Sequence, residues 1–256
     1  MDGQGKRVAL VTGASTGIGR ASAVALAKAG YDLALNYSRS EKEIRVTEAA
    51  ARDAGAKVAV IRGDVSQERE VVAMIDAVAE AYGGRLDLLH NNAGTTIDTP
   101  PAKFDTVAVE DFDRVFAVNV RGTFLVTKHA TRLLRARPKA TVINTASIVG
   151  LRPGPQPLPY SASKAAIVSM TQTLAGALGP AIRVNAIAPG WMEGDWMERA
   201  LGDNYDRLME RRAKATPLKR CVTADDVAEV VVSIATSMHF MTGQVFVIDG
   251  GFASVT

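Results

Sequence analysis

Tyr160 and Lys164 stand four residues apart in Tyr160-Ser161-Ala162-Ser163-Lys164. On a helix that spacing puts a phenol and an ammonium on one face, one above the other. A free phenol titrates at about 10, too high for an effective base near neutrality. A fixed neighbouring cation stabilises the phenolate and is expected to bring that value down. The pair could then give a proton to a carbonyl oxygen or take one from an alcohol. Taken alone, Y-x-x-x-K also occurs on many helices as a merely exposed pair.

A second motif lies near the start of the chain. Val8-Ala9-Leu10-Val11-Thr12 is followed by Gly13-Ala14-Ser15-Thr16-Gly17-Ile18-Gly19 and then by a helix-compatible run, Arg20 to Lys28. Glycines let the backbone turn sharply and approach a ligand. The helix behind them offers free N–H groups and a positive dipole end to a pyrophosphate. The spacing is G-x-x-x-G-x-G rather than G-x-G-x-x-G. Dinucleotide contacts are expected from Gly13, Ser15, Thr16, Gly17, Ile18 and Gly19; the plainer reading is a structural strand–helix turn. The same residues match G-x-S-x-G, the nucleophile elbow of a hydrolase, with Ser15 as nucleophile. Asp203 and His239 follow in suitable order, but only one strand precedes Ser15, and such an elbow normally follows several.

An NAD site usually carries an acidic residue at the end of the second strand, about 20 residues beyond the glycines. Here Leu33-Ala34-Leu35-Asn36-Tyr37-Ser38-Arg39-Ser40 has no carboxylate before Glu41. Tyr37, Ser38 and Arg39 offer hydroxyls and a guanidinium, which suit a phosphate. NADP(H) is therefore favoured, with NAD(H) as the alternative. Arg39 could instead be a solvated loop charge.

These groups need a scaffold. Strand-like runs fall at 7–12, 33–37, 57–62, 86–91, 140–146, 182–187 and 244–248, with helical patterns between them. Within 67–82, Val71, Ile75, Val78 and Tyr82 recur at helical spacing, and within 110–135 Phe112, Phe116, Val120 and Phe124 form a four-residue ladder. Thr223-Ala224-Asp225-Asp226 resembles a capping box opening a late helix. The alternation predicts an α/β chain: one Rossmann-type, doubly wound domain over 1–256, a seven-stranded parallel sheet with helices on both faces. Three loops break the rhythm: 94–108, the proline-rich 150–159 and 188–216. In a parallel sheet each would leave the carboxyl edge, where doubly wound sheets bind ligands.

Composition narrows the function classes. The 256 residues are 47% apolar and 22% charged, an ordinary globular balance. The net charge is +3 and forms no basic stripe, so nucleic acid is not expected as a partner. No apolar run reaches the ~18 residues of a membrane span, and Val8–Val11 is too short for a signal-peptide core. A lone Cys221 fits a reducing, cytoplasmic compartment. His90, His129 and His239 have no zinc-type spacing among themselves or to Cys221, so no metal is expected.

Taken together, the glycine turn at 13–19, Asn91-Asn92-Ala93-Gly94 after the fourth strand, Ser147 after the fifth and Tyr160-x-x-x-Lys164 resemble the short-chain dehydrogenases/reductases. The order and spacing are similar to those of the branch of about 250 residues that includes the 3-oxoacyl-carrier-protein reductases, from about Lys6 to Gly251. The resemblance implies that Tyr160 is the general acid/base. It implies that Lys164 lowers the phenol's pKa and bonds the nicotinamide ribose, and that Ser147 steadies the substrate oxygen. Asn119 would support a water linked to Lys164; on its own it reads as a buried polar residue bonded to backbone. Asn92, Ala93 and Gly94 would pack beside the cofactor. Asp64 and Val65 resemble the family's adenine contact, although Asp64 or Ser66 could equally cap the next helix. Pro189, Gly190 and Met192 resemble the loop that meets the nicotinamide, but Gly194 stands where the family commonly has Thr.

The implied activity is hydride transfer between NADP(H) and a ketone or secondary alcohol. The alternative, motivated by Gly194, is a non-catalytic NADP(H)-sensing protein of the same fold. A substrate lid is expected at about 191–214, where Trp191, Met192, Trp196, Met197 and Met209 alternate with charges; an amphipathic helix packed on the body is the plainer reading. The resemblance also implies a homotetramer or homodimer built through the helices carrying Asn119 and Tyr160.

Overall fold

The computed structural model describes residues 5–152 and 154–255; Pro153, in the proline-rich loop, lies outside them. Seven parallel strands form one sheet in the order β3-β2-β1-β4-β5-β6-β7. They are β1 (Arg7–Val11), β2 (Tyr31–Tyr37), β3 (Val58–Arg62), β4 (Leu88–Asn91), β5 (Ala140–Thr145), β6 (Ile182–Pro189) and β7 (Val245–Ile248). All seven expected strands are present. β2 begins two residues earlier than its apolar run because Tyr31 pairs with Arg7 and the Asp32 carboxylate accepts the Lys57 N–H at 2.8 Å.

The strands are apolar on both faces because helices cover both. Val8 and Leu10 of β1 face one core layer. There they meet Val71, Ile75 and Val78 of α3 (Glu68–Ala81) and Val126 and Leu134 of α5 (Thr123–Arg135). Ala9 and Val11 face the other, with Leu26 of α1 (Gly17–Lys28), Ile44 of α2 (Glu41–Asp53) and Val227 and Val231 of α9 (Ala224–Thr236). Alternate residues of one strand thus feed two layers. Thr223 caps α9 as its sequence implies: the hydroxyl accepts the Asp226 N–H at 3.2 Å, and the Asp226 carboxylate accepts the Thr223 N–H at 2.8 Å.

The long helical pattern at 110–135 is not one helix. α4 (Val109–Phe116) runs into a π-helical turn over Ala117–Gly122 before α5 resumes. The extra residue per turn breaks the phenylalanine ladder's register, and such turns gather at functional sites. Phe112 and Phe116 stack with centroids 4.7 Å apart, and Phe112 and Phe124 are exposed. The remaining helices are α6 (Leu158–Leu178), α7 (Asp195–Leu201), α8 (Tyr205–Ala215) and the short α10 (Phe252–Val255). Among the described residues no helix is long and apolar enough to cross a membrane.

Candidate active site

Because the strands are parallel, their carboxyl ends share one edge. The strand order reverses between β1 and β4, and that switch point is where such sheets take ligands. The glycine turn leaves β1 there. Thr16 is the N-cap of α1, its side chain caps no N–H, and no carboxylate lies in the first turn. The helix end therefore keeps its positive pole for an anion.

The turn is braced from three sides. The Asn92 amide donates to Thr12 O at 3.0 Å and to Gly13 O at 3.1 Å, while Thr12 Oγ1 accepts the N–H groups of Asn92 and Ala93. The Arg20 guanidinium donates to Ser15 O at 2.6 and 3.0 Å. The Thr47 hydroxyl donates to Ala14 O at 3.0 Å. A Cβ on Gly19 would come within 2.2 Å of Gly13 O, so the helix start and the turn touch backbone to backbone. This is a cradle that side chains would fill, and it fits a pyrophosphate. Arg20, Thr47 and Asn36, whose side chain reaches Gly13 N at 3.4 Å and Gly63 O at 2.9 Å, are supports that sequence reasoning missed. They are unremarkable in type, and Asn36 and Thr47 are also distant in sequence.

At the end of β2, Tyr37 is buried in the core layer, whereas Ser38 and Arg39 are exposed. Among the described residues the Arg39 side chain makes no hydrogen bond. Arg62 on β3 pairs in register with Tyr37 and donates to Ser38 O at 3.2 Å, which puts a second guanidinium at this corner. Asp64 is not the helix cap that its type allows. Gln67 is the N-cap of α3, and Asp64 closes a turn by accepting the Ser66 N–H at 2.9 Å. Val65 is buried where a Cβ on Gly122 would lie 2.8 Å from its Cγ2.

α6 carries Tyr160 and Lys164, both buried. Lys164 Nζ donates to Thr145 O at 2.7 Å and lies 5.5 Å from the centroid of the Tyr160 ring. Burial pushes the Lys164 ammonium down to about 8. It also pushes the Tyr160 phenol above its ordinary range, and the Ser147 hydroxyl acts against that. The expected lowering of the phenol is therefore not what the chain alone produces. Desolvation dominates, and the ammonium is turned to a carbonyl.

Ser147 follows β5 and accepts the Val149 N–H at 3.4 Å, capping a single 3-10 turn. The Asn119 side chain accepts the Thr95 N–H at 2.8 Å and donates to Thr95 O at 3.0 Å and Ser163 Oγ at 2.9 Å. That is the buried, backbone-bonded role which its residue type suggests. It pins the loop after Gly94 to the helix of the pair: a methyl on Gly94 would lie 3.5 Å from Asn119 Oδ1 and 3.7 Å from Lys164 Nζ. Beneath them, Asn91 Nδ2 donates to Thr127 Oγ1 and Asn144 Oδ1, both at 2.9 Å, tying β4 to α5 and β5.

Pro189 ends β6 and is buried, as is Trp191 beyond it, and Met192 bridges to Val222. Gly194 has φ +120°, a conformation that threonine does not adopt without strain. The departure at this position is thus built into the backbone. The segment beyond forms α7 and α8. Met197, Leu201, Tyr205 and Met209 pack with Trp191 and Phe252, so an amphipathic face does sit on the body. Trp196 nevertheless reaches over Tyr160, with centroids 5.6 Å apart. Ser15 is not brought to His239. Ser15 lies at the carboxyl edge, while His239 neighbours Met238 and Met241, whose carbonyls bond Arg183 near the amino end of β6.

A family model described as enoyl-(acyl carrier protein) reductase matches residues 13–253. A short-chain dehydrogenase/reductase of Armillaria gallica is 42% identical over 252 residues, 96% of this chain and 95% of its own. Among solved structures, a 3-oxoacyl-[acyl-carrier protein] reductase from Brucella melitensis in complex with NAD is similar at TM-score 0.89 and 32% identity, over 99% of each chain. Actinorhodin polyketide ketoreductase with NADPH is similar at TM-score 0.88 and 32% identity, over 96% of this chain and 97% of its own.

Proposed function

This chain belongs to the short-chain dehydrogenase/reductase family, and we propose that it is an NADP(H)-dependent oxidoreductase interconverting a ketone and a secondary alcohol, with Tyr160 as general acid/base. The observation that carries the reading is the convergence of Tyr160, Ser147, Lys164 and Asn119 at the edge where the uncapped glycine turn begins.

The turn from Gly13 to Gly19, with Asn92, Ala93 and Gly94 against it, would hold the dinucleotide; Asp64 and Val65 would border its adenine, and Pro189, Gly190 and Met192 its nicotinamide. When bound, the cofactor supplies or accepts the hydride. Tyr160 gives the proton to the substrate oxygen in reduction and takes it in oxidation. Ser147 holds that oxygen. An anionic phenolate beside Lys164 would favour the ammonium form, so the cation's role begins when the phenol has lost its proton. Arg39 and Arg62, with no acidic residue at the end of β2, support NADP(H) over NAD(H). The exposed Phe112 and Phe124 support a homotetramer or homodimer through α4, α5 and α6.

The test is oxidation of NADPH and NADH against a panel of ketones, sugars and a 3-oxoacyl thioester, with Tyr160→Phe alongside. NADPH-driven turnover that disappears in the variant is the expected result. Equal turnover by the variant would remove Tyr160 from the mechanism, and failure to bind either nucleotide would remove the cofactor.

A further inference from the structure

Behind Ser147 lies a recess of about 160 Å³, lined by Ile148, Arg152, Gln156, Trp191, Arg212 and Phe252 among others. Its lining carries two guanidinium groups and, among the described residues, no carboxylate. Arg212 comes from α8. Its guanidinium lies over Trp191 at 4.4 Å and over Phe252 at 5.7 Å. Among the described residues its Nε is buried with no hydrogen-bond partner. Burial and the neighbouring Arg211 charge lower its pKa, against the Cys221 thiol, and no carboxylate among the described residues acts on it. Arg152, from the loop after Ser147, is anchored with Nη1 donating to Ala253 O at 2.8 Å. Asp249, beyond Gly190, is taken up by the N–H groups of Gly251 and Ala253.

A planar cation clamped by aromatic rings, with one buried N–H that has no acceptor among the described residues, is costly unless an anion completes it. Ring stacking fixes the plane of the fork, and a fixed fork suits a planar two-oxygen acceptor. A recess of this size holds roughly a benzene-sized group, enough for a carboxylate and two or three carbons. Ser147 stands on the same wall.

We propose that this recess binds the carboxylate of an oxo-acid or hydroxy-acid substrate through Arg212, with Arg152 adding charge, so that the reactive carbon lies toward Ser147 and Tyr160. The proposal rests on the oxidoreductase reading above and names its substrate class.

The test compares kcat/KM of the full-length, NADPH-loaded protein for 4-oxopentanoate and for its methyl ester. The wild type should favour the acid by roughly tenfold or more, the worth of a charge-assisted pair. Arg212→Met, which keeps apolar bulk against the rings, should bring the acid-to-ester ratio close to one. Arg212→Lys should fall between, having the charge without the fork. An acid no better than its ester in the wild type overturns the proposal, as does a ratio that survives Arg212→Met. Where neither compound turns over, calorimetric titration of 4-oxopentanoate into the NADP+-loaded protein decides. Binding that Arg212→Met abolishes upholds the site, and absence of binding overturns it. Failure of the oxidoreductase reading is separate: it would appear as no Tyr160-dependent turnover of any carbonyl.

Discussion

The Trp196 indole stands edge-on to the Tyr160 ring, with 5.6 Å between centroids and 72° between planes. Trp196 comes from α7 and is itself 46% exposed. The contact covers Tyr160, the proposed general acid/base, on one side, where it would keep water away. Such a ring pair is worth about 0.5–1.5 kcal/mol beyond its buried area. Trp196→Ala should lower kcat/KM by up to roughly tenfold, since 1.4 kcal/mol is a factor of ten. Tm should hardly move, because the indole lies at the surface. Steady-state kinetics beside a thermal scan separates the two; unchanged kinetics would make Trp196 a surface residue only.

Tyr160→Phe removes one oxygen and keeps the ring that Trp196 and Lys164 touch. Fold and nucleotide affinity should persist while turnover falls by about 10²–10⁴, the usual contribution of a positioned acid or base. Single-turnover mixing with saturating nucleotide checks this.

How far the sequence could be read depended on whether a feature is local. Strands such as Val8-Ala9-Leu10-Val11 are apolar on both faces and bounded by turns, so their number and parallel arrangement were legible. The glycine turn was legible because its spacing is itself the structure. The π-turn around Asn119 was not, since one extra residue in a helix leaves no period of its own. Trp196 over Tyr160 and Arg212 over Trp191 join segments far apart in the chain, with no pattern to pair them. The upward shift of Tyr160 has the same origin: the cation is a sequence neighbour, but burial is a tertiary property.

Arg39 is exposed at the end of β2, and Arg62 flanks it through Ser38. A guanidinium–phosphate pair is worth about 1.5–3 kcal/mol. Arg39→Ala should weaken NADPH binding by roughly ten- to hundredfold and leave NADH nearly as before. Arg62→Ala should act in the same sense. Equilibrium binding of both nucleotides provides the comparison; an equal loss for each would mean that neither arginine reads the 2′-phosphate.

Gly194 opens α7 with φ +120°. Threonine there would restore the hydroxyl common in the family but force a backbone that a β-branched residue avoids, at about 1–3 kcal/mol. Gly194→Thr should loosen the segment that carries Trp196. Limited proteolysis within 194–205 should accelerate by roughly five- to hundredfold, with kcat/KM falling in parallel. A variant as resistant and as active as the wild type would show that the loop accepts the hydroxyl freely.

Lys164 makes stability depend on pH in a direction that can be fixed. Its pKa falls from 10.5 when unfolded to about 8 when folded, through burial. Between those values the unfolded chain binds more protons, so the Lys164 contribution to stability rises with pH. Below about 8 the folded protein carries the full cost of a buried ammonium, of order 3 kcal/mol. By about 10.5 that cost has gone. Lys164→Met removes the titration together with the bond to Thr145 O, but the lost bond is a fixed offset at every pH. The stability of the wild type relative to Lys164→Met should therefore increase by up to about 3 kcal/mol from pH 7 to 10.5. Urea unfolding of both proteins at pH 7, 9 and 10.5 measures this, since other groups titrate alike in the two. A difference that stays flat would mean that Lys164 keeps an ordinary pKa and that bound water or counter-charge solvates it in place.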